Sequence, residues 1–131
     1  MRYVLDAHAL VWFLTGDARL GDDAKRVLSD PKSDLILPAI ALAEACWIAE
    51  HGKVAGHSSK LVFDVTSSDP RVTIAPMTEG VVLETLGFTG VGEMHDRQIV
   101  ATARLFGSAN DLTLITRDRN IVASGLVPTT W

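Results

Sequence analysis

The chain has 131 residues, 47% of them hydrophobic and 21% charged, with a formal net charge of −4 and an isoelectric point near 5.4. That length fits one domain able to bury a core, and the acidic balance argues against a protein that grips nucleic acid through a broad basic face. A single cysteine, Cys46, excludes an internal disulfide framework and a cysteine-rich zinc site, and suits a reducing cytoplasm.

In chain order, "RYVLD" reads as a first strand and "HALVWFL" as the helix after it. Asp6 interrupts the N-terminal apolar segment too early for a signal peptide, and no later run reaches the roughly 20 residues of a membrane span. "GDDAKRVLSD" is helical, with Asp22 and Asp23 suited to a helix N-terminus and Pro31 stopping it. "DLILP" is a short buried strand, followed by the helix "AIALAEACWIAEHG", which Gly52 closes. "SSKLVFDVTSSD" gives another helix with hydroxyl residues at its start. "RVTIAP" is a third strand and "EGVVLETLGF" a further helix. The loop "TGVGE", Thr89 to Glu93, has two glycines and is expected to be the most flexible segment. "HDRQIVATARLFG" is a periodic helix with Ile99, Ala103 and Phe106 on one face and Gly107 at its end. "LTLIT" is a fourth strand, "DRNIVASG" one or two helical turns, and "VPTTW" a weak terminal strand. Alternation of this kind predicts an α/β domain with a central, mainly parallel sheet of four to five strands, covered by helices on both faces.

In open parallel sheets, ligands bind beyond the carboxyl ends of the strands. Asp6 ends the first strand, Thr116 and Asp118 follow the fourth, Glu44 lies in the helix after the second, and Asp96 opens the helix before the fourth. Each has an ordinary explanation: Asp6 or Asp118 as a helix cap, Glu44 as a solvent-facing residue, Asp96 as a favourable charge at a helix N-terminus. Four carboxylates at one edge are another matter, because their mutual repulsion is costly unless a cation lies among them. Oxygen donors without a His or Cys set match Mg²⁺, with Mn²⁺ able to take its place. A cation held this way activates water and stabilises charge on a phosphodiester. An acidic protein is compatible with such a site, since cations fill it.

"YVLDAHALVWFL", "LPAIALAEACWIAEHGKV", "HDRQIVATARLFG" and "LTLITRDRNI" together resemble PIN-domain ribonucleases, most closely the VapC-type toxins of bacterial toxin–antitoxin modules. The resemblance runs through essentially the whole chain, residues 1–131, as a single PIN domain. It implies a three-layer α/β/α fold and an acidic, Mg²⁺-dependent site that cleaves RNA endonucleolytically. By the same resemblance Asp6, Glu44 and Asp96 match the three principal acids of the family. Asp118 matches a fourth, more variable one, and Thr116 its accompanying hydroxyl. An antitoxin partner and a homodimer are also implied. Two departures stand out: Ala7 replaces the Thr or Ser common after the first acid, and "PAIALA" before Glu44 lacks the usual hydroxyls. Both remove hydrogen bonds that tune a metal site.

Arg117 and Arg119, beside Asp118, are the candidates for contacting substrate phosphates, whereas Arg97 suits an intramolecular or dimer contact. His8 and His95 read as supporting groups, and Trp12, Phe13 and Trp47 as core or partner-binding residues. The alternative to a ribonuclease toxin is a PIN-like interaction module with weakened catalysis. An aspartate-nucleophile phosphatase is weaker, because it wants a second Asp two residues after Asp6 and that position is His8.

Overall fold

The computed structural model describes residues 1–52, 56–107 and 110–131; Lys53 and Val54, which end the stretch "LPAIALAEACWIAEHGKV", lie outside these. Strands β1 (Arg2–Leu5), β2 (Asp34–Pro38), β3 (Val72–Ala75), β4 (Leu112–Ile115) and β5 (Thr129–Thr130) form one sheet in the order β3-β2-β1-β4-β5. All four pairings are parallel. Helices α1 (Ala7–Thr15) and α2 (Asp22–Ser29) connect β1 to β2, and α3 (Ala39–Glu50) and α4 (Ser59–Ser67) connect β2 to β3. Helices α5 (Glu79–Thr85) and α6 (Met94–Phe106) lead back to β4, and α7 (Arg119–Ser124) joins β4 to β5. The result is the expected α/β/α architecture, with a parallel sheet of five strands. Among the described residues, no helix is long and apolar enough to cross a membrane.

The inner strands are short and almost wholly apolar because both sheet faces are covered. Val4, Leu5, Leu35, Leu37, Leu114 and Ile115 are each at most 1% exposed. Burying each such side chain contributes about 1.5–3 kcal/mol relative to leaving it in water. Helix α6 buries Ile99, Val100, Ala101, Thr102 and Ala103, a wider face than its strict periodicity implies, with Phe106 only partly covered. Gly107, at the end of α6, has extended backbone rather than the left-handed turn of a common helix stop. Its role is close approach: a Cβ there would lie 2.5 Å from the Cβ of Leu112.

The loop at residues 89–93 is anchored at its centre, contrary to the expectation from its glycines. Val91 is fully buried, and its carbonyl accepts a hydrogen bond from Nε of Arg97. Arg97 is therefore spent inside the protein, as its position on the helix implied.

The chain runs from β1 outward through β2 to β3, then crosses to β4 on the other side of β1. The connections thus leave in opposite directions from neighbouring strands β1 and β4. Such a switch point opens a crevice beyond the strands' carboxyl ends, which is where α/β sheets place ligands.

Candidate active site

The residues immediately after β1 and β4 are Asp6 and Thr116, and the register pairs Leu5 with Ile115, so both emerge side by side at the crevice. The buried Thr116 hydroxyl donates to Oδ2 of Asp6 at 2.7 Å and accepts from the backbone N–H of Asp118 at 3.1 Å. One hydroxyl thereby ties together the two strand ends. Asp6 occupies the N-cap position of α1, yet its side chain makes no capping bond there. The ordinary explanation for Asp6 fails on that point, and its carboxyl is left for the crevice.

Asp118 does cap α7: its Oδ1 accepts from the N–H groups of Asn120 and Ile121 at 2.9 and 3.0 Å. The structural and the chemical readings of Asp118 are compatible, because a carboxylate has two oxygens. Asp96 lies in the first turn of α6 but is not its cap. That task falls to Glu93, whose Oε2 accepts from the Asp96 N–H at 2.9 Å. Glu44 projects from the middle of α3, and Nδ1 of His95 stands 3.3 Å from its Oε1 and 3.4 Å from Oε1 of Glu93. His95 thus links two carboxylates on α3 and at the start of α6, the supporting role its position implied.

Asp6, Glu44, Asp96 and Asp118 line a single cleft of about 340 Å³ together with His8, Trp12, Arg19, Arg117 and Trp131. The four acids found in the sequence therefore converge, with Thr116 beneath them and Arg117 on the wall. Arg119, the first residue of α7, is exposed and is not among the lining residues.

The electrostatics show the strain of this assembly. Burial pushes the Asp96 carboxyl up to about 7, with further repulsion from Asp118, Glu93, Asp6 and Glu44. Burial also raises Asp6, partly offset by the hydrogen bond from Thr116 and by His8. Glu44 is raised by burial and then by the charge of Asp6. Three acids displaced in the same direction mark a site with more negative charge than the protein neutralises, a frequent property of functional sites.

Such a donor set fits a hard divalent cation: oxygen ligands only, with excess negative charge. Among the described residues, no group of three or more His, Cys, Asp or Glu side chains is arranged to hold an ion as it stands. Asp6, Glu44, Asp96 and Asp118 are the side chains that would hold such an ion, and Mg²⁺ would keep part of its own water there.

Two residues that line the cleft, Arg19 and Trp131, and one that supports it, Glu93, are not evident from the sequence. Glu93 was read only as the end of a loop, although a side-chain acceptor three residues before Asp96 is capping geometry. Arg19 and Trp131 lie far from the acids in sequence. The one available sign for Arg19 is the spacing Asp17-x-Arg19, repeated at Asp69-x-Arg71. In both, the Asp accepts from the N–H two residues on and pairs with that residue's guanidinium.

No curated protein sequence matches the chain. Several solved structures share its fold. FitAcB from Neisseria gonorrhoeae is 19% identical, with a TM-score of 0.70 over 98% of this chain and 96% of that one. VapC20 of Mycobacterium tuberculosis, a toxin that cleaves the sarcin-ricin loop, is 18% identical, with a TM-score of 0.72 over 95% and 96%. A toxin–antitoxin complex from Klebsiella pneumoniae contains a chain 17% identical, with a TM-score of 0.69 over 98% of both. The family model of the PIN domain matches residues 3–124, nearly the whole length, and the chain belongs to that family.

Proposed function

We propose that this chain is a divalent-cation-dependent endoribonuclease and the toxin of a toxin–antitoxin module. The observation that carries this reading is the convergence of Asp6, Glu44, Asp96 and Asp118 on one cleft at the switch point of the sheet. Those four side chains would hold Mg²⁺ or Mn²⁺. When bound, the ion supplies a more acidic water and charge stabilisation at the scissile phosphodiester.

The remaining work belongs to the protein. Thr116 fixes the orientation of Asp6, and Glu93 secures the first turn of α6 that carries Asp96. His95 keeps Glu44 beside that turn. The guanidinium of Arg117 offers paired donors to a phosphate oxygen at the cleft wall. Arg119, outside the cleft, would meet substrate only further along the strand.

The antitoxin would sit beside the acids. Ile40, Ala43, Trp47, Ile48 and His95 line a second, mostly apolar groove of about 520 Å³ that shares His8 and Glu44 with the cleft. Trp47 is 53% exposed there, and an amphipathic helix laid in the groove would cover it and approach the acids. The similar structures include toxin–antitoxin complexes, which supports such a partner. A homodimer is part of the same proposal.

Two observations favour a second reading, an interaction module with weakened catalysis: the acids are not pre-closed around a point, and Ala7 supplies no hydroxyl. The test is RNA cleavage by purified protein with Mg²⁺ or Mn²⁺, for the parent and for Asp6→Asn and Asp96→Asn. Loss of cleavage and of growth inhibition in both variants, with the fold retained by circular dichroism, is the expected outcome. Undiminished cleavage in both would remove the assignment of the site.

A further inference from the structure

The cleft has a positive end that the acids do not explain. Trp12, only 6% exposed, presents its ring to two guanidiniums: Cζ of Arg19 is 4.4 Å and Cζ of Arg117 4.5 Å from the ring centroid. Trp131 meets the same ring edge-on at 5.7 Å. Gly21 makes that contact possible, because a Cβ there would stand 2.4 Å from the backbone carbon of Trp131. The segment from Asp17 to Gly21 is therefore clamped between Trp12 and Trp131, and Arg19 is held in place before any ligand arrives.

Arg19 and Arg71 use the same Asp-x-Arg device to different ends. Arg71 pairs with Asp69 through Nε and Nη2 and spends Nη1 on the carbonyls of Leu28 and Asp30, both at 2.8 Å. Every edge of that guanidinium is used, and its role is to fasten the loop before β3. Arg19 pairs with Asp17 through Nε at 3.0 Å and Nη2 at 2.8 Å. Among the described residues its Nη1 has no hydrogen-bond partner, and its side chain is 59% exposed on the cleft wall. A guanidinium donates bidentately along two edges, so one edge of Arg19 is fixed by Asp17 and the other is open. Arg117, 4.5 Å from the centroid of the same ring, forms no salt bridge of its own with any described residue and meets the Asp17 charge only at longer range, which places a second guanidinium at this end of the cleft.

We infer that Arg19 and Arg117 form a phosphate-binding subsite, which takes a backbone phosphate of single-stranded RNA next to the one cleaved at the acids. This rests on the nuclease reading above. The acids repel a polyanion, so substrate needs compensating charge nearby, and these two guanidiniums are the lining groups that carry it whatever the pH. Stacking on Trp12 and pairing with Asp17 remove most of the freedom Arg19 would otherwise lose on binding.

The test uses a 5′-labelled single-stranded RNA oligonucleotide followed by fluorescence anisotropy across a salt series. Asp96→Asn is the background, so that the probe stays intact. Adding Arg19→Ala is expected to weaken binding about tenfold at low salt, and to reduce the slope of log affinity against log salt by about 0.7, one phosphate contact. Arg19→Gln, which keeps the stem over Trp12 but not the charge, should behave alike. Unchanged affinity and slope in both variants, while the unsubstituted chain cleaves RNA, would overturn the subsite alone. Failure of the background protein to bind the oligonucleotide, together with no cleavage by the parent, would overturn both the subsite and the nuclease.

Discussion

Replacing Asp96 with Asn should make the metal-free protein more stable at neutral and alkaline pH. The carboxyl ordinarily titrates at 3.8 and is pushed to about 7 in the fold, first by burial and then by four neighbouring carboxylates. That displacement corresponds to roughly 4 kcal/mol. Because the group is only half-buried, solvent screening reduces the usable figure to about 2 kcal/mol. The sign follows from proton uptake. Between about pH 4 and pH 7 the folded state holds a proton that the unfolded state has released, so stability falls as pH rises through this window. An amide has the carboxyl's shape without its charge and escapes the loss. Thermal unfolding by circular dichroism in EDTA should place Asp96→Asn above the parent by roughly 6–8 °C at pH 8, for a chain of this size. The gap should narrow steadily toward pH 4. A variant no more stable than the parent at pH 8, or a gap independent of pH, would refute the claim that the site carries uncompensated negative charge.

Thr116→Val should leave Asp6 without its donor and the Asp118 N–H without its acceptor. Urea unfolding should then show a loss of about 1–3 kcal/mol, and cleavage should fall at least tenfold; a variant unchanged on both counts would mean that Thr116 does not hold the site together. Gly21→Ala should force Trp131 away from Trp12, since the new methyl would overlap the Trp131 backbone. The expected cost is about 1–3 kcal/mol by urea unfolding, with a change in tryptophan fluorescence, and a neutral result would remove the clamp around Arg19.

How much of this was legible in the sequence depended on the range of the interactions involved. Strands such as "DLILP" and helices such as "HDRQIVATARLF" announce themselves because burial on both sheet faces and on one helix face is a local pattern. The convergence of Asp6, Glu44, Asp96 and Asp118 was also readable, since Asp6 and Asp118 closely follow strands, Glu44 and Asp96 lie on the helices after β2 and before β4, and the parallel topology gathers those strand ends. Helix α6 shows the limit of periodicity: Val100 and Ala101 are buried off the main stripe because the helix packs against both β4 and α5. The loop before α6 misled for a related reason. Its glycines promise freedom, but Val91 is a core residue and Arg97 holds its carbonyl. Trp131 could not be placed at the cleft from sequence, because its contact with Trp12 joins the two ends of the chain, and Arg19 could not because the turn that lays it over Trp12 lies outside any periodic element.

The central claim is that four acids from four separate elements form one cation site. Calorimetric titration of Mn²⁺ into the metal-free protein at pH 7.5 tests it most directly, with Asp6→Asn as the comparison. The account predicts saturable binding by the parent below millimolar Mn²⁺, and binding weakened at least tenfold in the variant. No binding by the parent at millimolar Mn²⁺, or equal binding by both proteins, would contradict it.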